Sequence, residues 1–107
     1  MAGGPLNGIR ILDLTSVVVG PLATQILADH GADVIKVESP SGDLGRTIGG
    51  LGVTPGMGAK FLHLNRNKRS IVLDLKQAAG YDALMKLAAK TDVLIWNVRP
   101  DSMARLS

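Results

Sequence analysis

The chain has 107 residues, of which 46% are hydrophobic and 20% charged, and its formal net charge is +3. This size and balance predict one globular domain, and they exclude a disordered segment or a multi-domain enzyme with a cleft between lobes. The absence of cysteine excludes disulfide frameworks, thiolate zinc sites and cysteine nucleophiles, and it makes an intracellular setting the default. The positive charge favours anionic partners such as nucleic acid, phosphorylated cofactors or acidic lipid.

The N-terminal segment has neither a basic n-region nor an apolar h-region, so no targeting signal is predicted. No apolar run approaches the roughly 18 residues that a membrane span needs, which argues against a membrane partner. Only three aromatic residues are present, so the chain offers few platforms for base stacking.

The first third of the chain predicts a β-strand, a helix and a second strand. Ile9 to Leu14 is rich in β-forming residues, and Asp33 to Glu38 repeats that pattern. Gly20-Pro21 opens the helix between them, and Gly31 is a natural left-handed stop. The apolar residues at helical spacing in that helix are Leu22, Ala23, Ile26 and Leu27. Together these elements predict a right-handed βαβ unit of about 30 residues.

The remainder predicts a long glycine-rich loop and a second βα unit. Seven glycines lie between Ser41 and Gly58, a segment that is interpreted as a loop or lid. Ser70 to Leu75 predicts a third strand, and Asp92 to Trp96 a fourth. The helix between them runs from about Ala78 to Lys90, with Tyr81, Leu84, Leu87 and Ala88 on one face. This alternation predicts an α/β fold with a mostly parallel sheet, and the helix that opens after Pro100 suggests a piece of something longer.

Two acidic residues end predicted strands, where ligands of open α/β sheets bind. Asp13 and Glu38 could therefore be catalytic, although a helix cap or an ion pair is an equally ordinary role. Glu38 also stands where a dinucleotide-binding fold places the acid that holds a ribose. The first strand-to-helix turn, however, carries only Gly20 of the three fingerprint glycines, so an ordinary turn is favoured.

Arg46 follows Gly42-Asp43 in the glycine-rich loop and has two interpretations. It could hold a substrate carboxylate in a bidentate fork, or it could form a local ion pair with Asp43. The two histidines, His30 and His63, have no carboxylate at metal-ligand spacing, so no metal site is predicted.

The segment Asn65-Arg66-Asn67-Lys68-Arg69 sets three cations in front of the third strand. A solvated basic face, a compact phosphate site and a nucleic-acid contact are all compatible with such a run. Nucleic acid is the weakest of these, because few aromatics lie nearby.

Five separated blocks resemble one family, the class III CoA-transferases, which include formyl-CoA transferase, carnitine CoA-transferase and the α-methylacyl-CoA racemases. The blocks run from Pro5 to Thr15 with Gly20-Pro21, from Gly31 to Glu38, through Gly42-Asp43 with Arg46, from Asn65 to Lys76, and from Asp92 through Asn97 and Arg99-Pro100 to Met103 and Arg105-Leu106. They cover nearly the whole chain in order.

The resemblance implies a Rossmann-like fold that is incomplete relative to the full-length family, with residues 1–107 forming the N-terminal CoA-binding part. It implies a cytoplasmic enzyme that moves CoA from an acyl-CoA to a carboxylic acid through an aspartyl nucleophile. That nucleophile would lie beyond Ser107, so Asp13, Asp74 and Asp92 are not substitutes for it. It also implies an interlocked homodimer, acyl-CoA as substrate and no permanently bound cofactor. A stand-alone CoA or nucleotide module and part of an α-methylacyl-CoA racemase remain the alternatives.

Carried over by position, the resemblance implies CoA contacts at Val18, Val19, Ser39, Leu73, Asp74, Leu75, Lys76, Asn97, Val98, Arg99 and Arg105. Lys76, Arg99 and Arg105 are the phosphate candidates, since phosphates prefer Lys and Arg. Two positions depart from the family. Ser39 replaces an arginine that can cover adenine, and Val98 replaces a frequent aromatic; Trp96 could compensate by stacking. On this reading Arg66, Lys68 and Arg69 become structural cations that anchor a turn or the second subunit.

Overall fold

The computed structural model describes residues 4–46 and 59–97. Four strands run in the order β1 (Arg10–Leu14), β2 (Asp33–Glu38), β3 (Arg69–Val72) and β4 (Val93–Trp96). The helices are α1 (Val19–Asp29), α2 (Ala59–Leu64) and α3 (Ala78–Ala88), with a short 3-10 turn over Leu44–Arg46. The predicted α/β fold is therefore confirmed.

The four strands form one sheet in the order β3-β2-β1-β4, and every neighbouring pair is parallel. This order matches the first four strands of the doubly wound 3-2-1-4-5-6 arrangement. The central register pairs Asp13 with Lys36, and Lys36 with Ser70. All four carboxyl ends thus meet at one edge of the sheet, which is where the loops that follow β1, β2 and β3 converge.

The two faces of the sheet are packed differently. On one face Ile11 and Val34 pack with Ala28 of α1, while on the other Leu12 and Ile35 form a core with Leu84 of α3. Alternation along the strands then places Asp13, Lys36 and Glu38 on the α1 face, next to the carboxyl edge. This face is apolar at one end and charged at the other.

That charged end explains why α1 buries an unexpected stripe. Leu22 and Ile26, two of the apolar residues that recur at helical spacing in the sequence, are exposed, whereas Thr24 and Gln25 are buried. The helix turns Thr24 inward because its hydroxyl donates to Asp13 Oδ2 at 2.7 Å. Satisfying a buried carboxylate therefore outweighs burial of the two aliphatic side chains.

Predicted boundaries agree with the structure to within a few residues. The β2 range is as predicted, and Gly31 takes the expected positive φ (103°) after α1. The clearest difference is β3, which ends at Val72 rather than Leu75, although Leu73 N still donates to Glu38 O at 2.9 Å. The chain then leaves the sheet in a turn, since Gln77 N bonds Asp74 O at 3.0 Å. Most of the glycine-rich segment and the helix after Pro100 lie outside the described residues.

Candidate functional site

A cleft of about 480 Å³ opens at the carboxyl ends of β1, β2 and β3. Its lining comes from three stretches of backbone: the end of β1 and the turn into α1, the end of β2 with the loop that follows, and the segment after β3. The lining residues are Leu14, Thr15, Ser16, Val17, Lys36, Val37, Glu38, Ser39, Gly42, Asp43, Leu44, Leu73, Asp74, Leu75 and Lys76. This edge is where open α/β sheets bind their ligands.

The segment after β3 forms one wall of the cleft. Lys76 N donates to Asp74 Oδ1 at 3.1 Å, so the aspartate closes a local turn that carries Lys76 at an exposed position. Leu73 and Leu75 contribute apolar surface and pack against the core on the α3 face. The wall thus combines an apolar slot with an ammonium group.

Lys76 is the cation at the cleft that remains available to a ligand. Within residues 4–46 and 59–97 no acidic side chain pairs with it. The other lysine of the lining, Lys36, is 1% exposed and lies 2.9 Å from Asp43. Lys76 is therefore an exposed cation without an acidic partner within the described lining of the cleft.

The opposite wall follows β2 and is stiffened by two acids. Arg46 Nη2 lies 2.6 Å from Glu38 Oε1, and Arg46 Nε donates to Glu38 Oε2 at 2.9 Å. The guanidinium also stacks 3.9 Å from the centre of the Phe61 ring. The fork that we considered for a substrate carboxylate is thus taken up by Glu38, and the local pair that we considered with Asp43 is replaced by this bidentate one.

Both acids of this wall are held in the charged form. The hydrogen bonds from Arg46 lower the pKa of Glu38 below its ordinary value, against the opposing effect of burial. Burial raises the pKa of Asp43, but the contact with Lys36 and the backbone amides of Gly45 and Val17 together outweigh it and leave the pKa lowered. Each of the two carboxylates of this wall is therefore paired with a cation of its own, Glu38 with Arg46 and Asp43 with Lys36.

The turn between β1 and α1 forms the floor of the cleft and has an unusual backbone. Val17 has φ of 75°, a conformation that a β-branched residue rarely adopts. Its amide donates to Asp43 Oδ1 at 3.0 Å. Gly20 completes the turn, because a Cβ there would lie 2.5 Å from the Cβ of Thr15.

The basic segment before β3 is occupied within the chain. Arg66 pairs with Asp29 at 2.7 Å, and Arg69 pairs with Asp33 at 2.7 Å. The side chain of Lys68 is 2% exposed, and its Nζ lies 3.0 Å from Oδ2 of Asp13, whose side chain is fully buried. Burial lowers the pKa of Lys68, and Asp13 partly offsets this. These pairs agree with a structural role for the three cations.

The structure brings some of the predicted site residues together and separates others. Ser39 and the run Leu73, Asp74, Leu75 and Lys76 line one cleft. Val18 and Val19 lie just beyond it at the start of α1, and Asn97 is hydrogen-bonded to the Ser16 backbone of the floor. Val98, Arg99 and Arg105 lie outside the described residues. Trp96 pairs in register with Leu14 but is not part of the cleft lining.

Two residues that shape the cleft were missed in the sequence. The first is Lys36, the lysine inside the apolar strand "DVIKVE". A lysine at such a position indicates a buried ion pair, because central parallel strands are covered on both faces. Gly80 had no such signal. A Cβ on Gly80 would lie 2.0 Å from Asp74 O, so α3 can approach the cleft wall this closely only without a side chain there.

The described residues contain no group of three or more His, Cys, Asp or Glu side chains placed to hold a metal ion. Among the helices of the same part of the chain, none combines the length and apolarity that crossing a bilayer requires.

The described chain is thus an α/β protein with a parallel sheet, and its partly apolar cleft and exposed Lys76 lie at the carboxyl edge, where open sheets of this class bind their ligands. The model of CoA-transferase family III matches residues 6–107, and the chain therefore belongs to this family.

Individual relatives agree with that assignment. The chain is 48% identical over 103 residues to a formyl-CoA:oxalate CoA-transferase of Bradyrhizobium diazoefficiens, covering 94% of this chain and 24% of that protein. It is 43% identical over 106 residues to the human succinyl-CoA:glutarate CoA-transferase, covering 95% of this chain and 23% of that protein. The crystal structure of the hypothetical protein Rv3272 from Mycobacterium tuberculosis superposes with a TM-score of 0.85 at 40% identity, covering 99% of this chain and 28% of that chain. The chain thus spans about a quarter of the length of the relatives it matches.

Proposed function

We propose that this chain is the CoA-binding part of a class III CoA-transferase and that the cleft at the carboxyl edge receives CoA. The observation that carries the proposal is Lys76, an exposed lysine without an acidic partner in the described chain, beside the apolar surface of Leu73 and Leu75. A phosphate of CoA would be met by the ammonium group, and the adenine by the apolar slot. Ser39 lies on the facing side of the same cleft.

The whole protein would move CoA from an acyl-CoA to a carboxylic acid. In that reaction an aspartate outside this chain attacks the thioester carbonyl and releases CoA as thiolate, which leaves a mixed anhydride of the aspartate and the donor acyl group. The thiolate then attacks the aspartyl carbonyl, so that the donor leaves as a free carboxylate and an aspartyl-CoA thioester forms. The acceptor carboxylate attacks this thioester to give a second mixed anhydride, and the released thiolate attacks the acceptor carbonyl, which yields the new acyl-CoA and regenerates the aspartate. Asp13 is not a candidate for this nucleophile, because its two oxygens are engaged by Thr15, Thr24 and Lys68 in a fully buried position. We further propose that the whole protein acts as a cytoplasmic homodimer.

Isothermal titration calorimetry with CoA tests the proposal. Replacing Lys76 by Ala should weaken binding roughly tenfold, the usual scale for one charge-assisted hydrogen bond. Lys86→Ala removes an exposed lysine of α3 that does not line the cleft and should leave the affinity unchanged. Absence of heat with both CoA and dephospho-CoA would refute a CoA site.

The two ligands also separate the phosphate groups of CoA. If Lys76 contacts the 3′-phosphate, the Lys76→Ala penalty should vanish with dephospho-CoA; if it contacts the diphosphate, the penalty should persist. Incubation of the chain with an acyl-CoA and a carboxylate should give no transfer, and robust turnover would contradict the absence of the nucleophile.

A further inference from the structure

The turn between β1 and α1 is held at consecutive residues by side chains from distant parts of the chain. Thr15 O accepts a hydrogen bond from Lys36 Nζ at 3.0 Å, and Val17 N donates to Asp43 Oδ1 at 3.0 Å. Lys36 and Asp43 are each 1% exposed and pair with one another at 2.9 Å. One buried ion pair therefore fixes both ends of this three-residue turn.

Ser16, the middle residue of this turn, is held by a residue that follows the neighbouring strand β4. Ser16 N donates to Asn97 Oδ1 at 3.2 Å, and Asn97 Nδ2 donates back to Ser16 O at 3.0 Å. Asn97 directly follows β4, and Ser16 follows β1, its neighbour in the sheet. The amide thus reproduces a pair of strand-like hydrogen bonds at the point where the two backbones diverge.

This arrangement maintains a conformation that the turn would not keep unaided. Val17 has a positive φ (75°) despite its branched Cβ, and such a residue persists only where its surroundings over-determine it. Because Thr15, Ser16 and Val17 all line the cleft, the same contacts set the shape of its floor. A floor shaped before the ligand arrives spares the ligand the free energy of ordering it.

We propose that Lys36, Asp43 and Asn97 are positioning residues that preorganise the Thr15–Val17 turn for CoA, with Asn97 acting through Ser16 rather than by touching the ligand. This inference rests on the proposed CoA site, and it changes the role that the family resemblance implied for Asn97. Lys36 and Asp43 act from beneath the cleft, and Asn97 acts from beside it.

Two measurements on the same variants test the assignment: CoA affinity by calorimetry, and exchange of the Ser16 and Val17 amides by NMR in the ligand-free protein. Asn97→Ala should speed exchange of the Ser16 amide by about tenfold or more and weaken CoA binding roughly tenfold. Asp43→Ala should do the same for the Val17 amide. The matched controls are Asn7→Ala, at an exposed asparagine, and Asp33→Ala, at the opposite edge of the sheet. Both should leave the two readouts unchanged.

The outcomes are distinct. Weaker binding by Asn97→Ala with unchanged amide exchange would identify a direct ligand contact, and faster exchange with unchanged affinity would identify a purely structural role; each overturns the inference. If Asp43→Ala does not fold, Asn97→Ala decides alone, because Asn97 is exposed. Failure of the unmodified chain to bind CoA would instead refute the proposed function, and it is visible before any variant is made.

Discussion

At the scale of single residues, the α1 face of the sheet is organised by buried ion pairs. Lys68 with Asp13 and Lys36 with Asp43 are each at most 2% exposed. Their desolvation is offset by further hydrogen bonds, such as those of Lys68 to Asn65 Oδ1 at 2.7 Å and to Pro21 O at 3.1 Å. Such pairs are worth little against a well-packed apolar substitute, but removing one partner leaves an uncompensated charge.

Lys68→Met is therefore expected to destabilise the chain by about 3 kcal/mol at neutral pH, because Asp13 would remain buried without its cation. Urea denaturation measures the loss. Arg69→Met is the matched control, since it removes a cation of the same segment from a side chain that is 64% exposed. A surface pair of that kind contributes little, so equal losses in the two variants would refute the structural role of Lys68.

Glu38 predicts an acid-dependent stability of defined sign. Arg46 lowers the pKa of Glu38 in the folded chain below its ordinary value of 4.5, so the folded state binds this proton less readily than the unfolded state. The contribution is complete above the ordinary value and is lost as the pH falls through the lower folded-state pKa. Denaturation at a series of pH values should show this decline, and Glu38→Gln should flatten it.

At the scale of elements, the cleft depends on how closely α3 approaches the segment after β3. The contact is between the Gly80 backbone and Asp74 O, where a Cβ would be 2.0 Å away. The helix also contributes Leu84 to the core beneath Leu73 and Leu75. The position of α3 therefore determines the shape of the cleft wall formed by Leu73 to Lys76.

Gly80→Ala should destabilise the chain by roughly 2 kcal/mol, the scale of overpacking, although Ala is the better helix former. It should also weaken CoA binding by displacing Leu73 to Lys76. Thermal unfolding and calorimetry measure the two effects. The control is Ala79→Gly, at the neighbouring exposed position. It should lower the free energy of unfolding only by the difference in helix propensity, about 1 kcal/mol, and leave CoA binding intact. A stabilised Gly80→Ala variant would show that the close approach is absent.

At the scale of the whole molecule, β4 is an edge strand in the described sheet, and it carries exposed apolar side chains. Val93 is 41% exposed, Leu94 39% and Trp96 46%. Edges and apolar patches of this kind invite pairing with another surface.

Self-association through this surface is the expected behaviour of the chain in solution. Sedimentation velocity should show concentration-dependent association, and Trp96→Ser should reduce it. The control is Leu62→Ser, which removes an apolar side chain of similar exposure (47%) from α2. Leu62 lies beside β3, at the other end of the strand order from β4, so this variant should leave association unaltered. A monodisperse monomer at all concentrations would contradict the expectation.

Much of this architecture follows from local patterns. The two βα units, the left-handed stop at Gly31 and the apolar face of α3 were predictable because strand and helix periods, glycine conformations and burial obey short-range rules. The stripe that α1 buries was not, because Thr24 faces inward for the sake of Asp13, a residue that only the fold brings beneath it.

The candidate site divides in the same way. The sequence by itself determined the class of fold and the family, since these depend on the order and identity of residues along the chain. It also predicted Leu73 to Lys76 as a CoA-contacting segment, which stays a prediction. Only the tertiary structure decided that Arg46 binds Glu38, that Lys68 is buried against Asp13, and that Lys36, Asp43 and Asn97 hold one turn. The physical reason is that a charged side chain forms an ion pair with whichever opposite charge the fold brings within about 3 Å of it. Separation along the sequence does not reveal that distance.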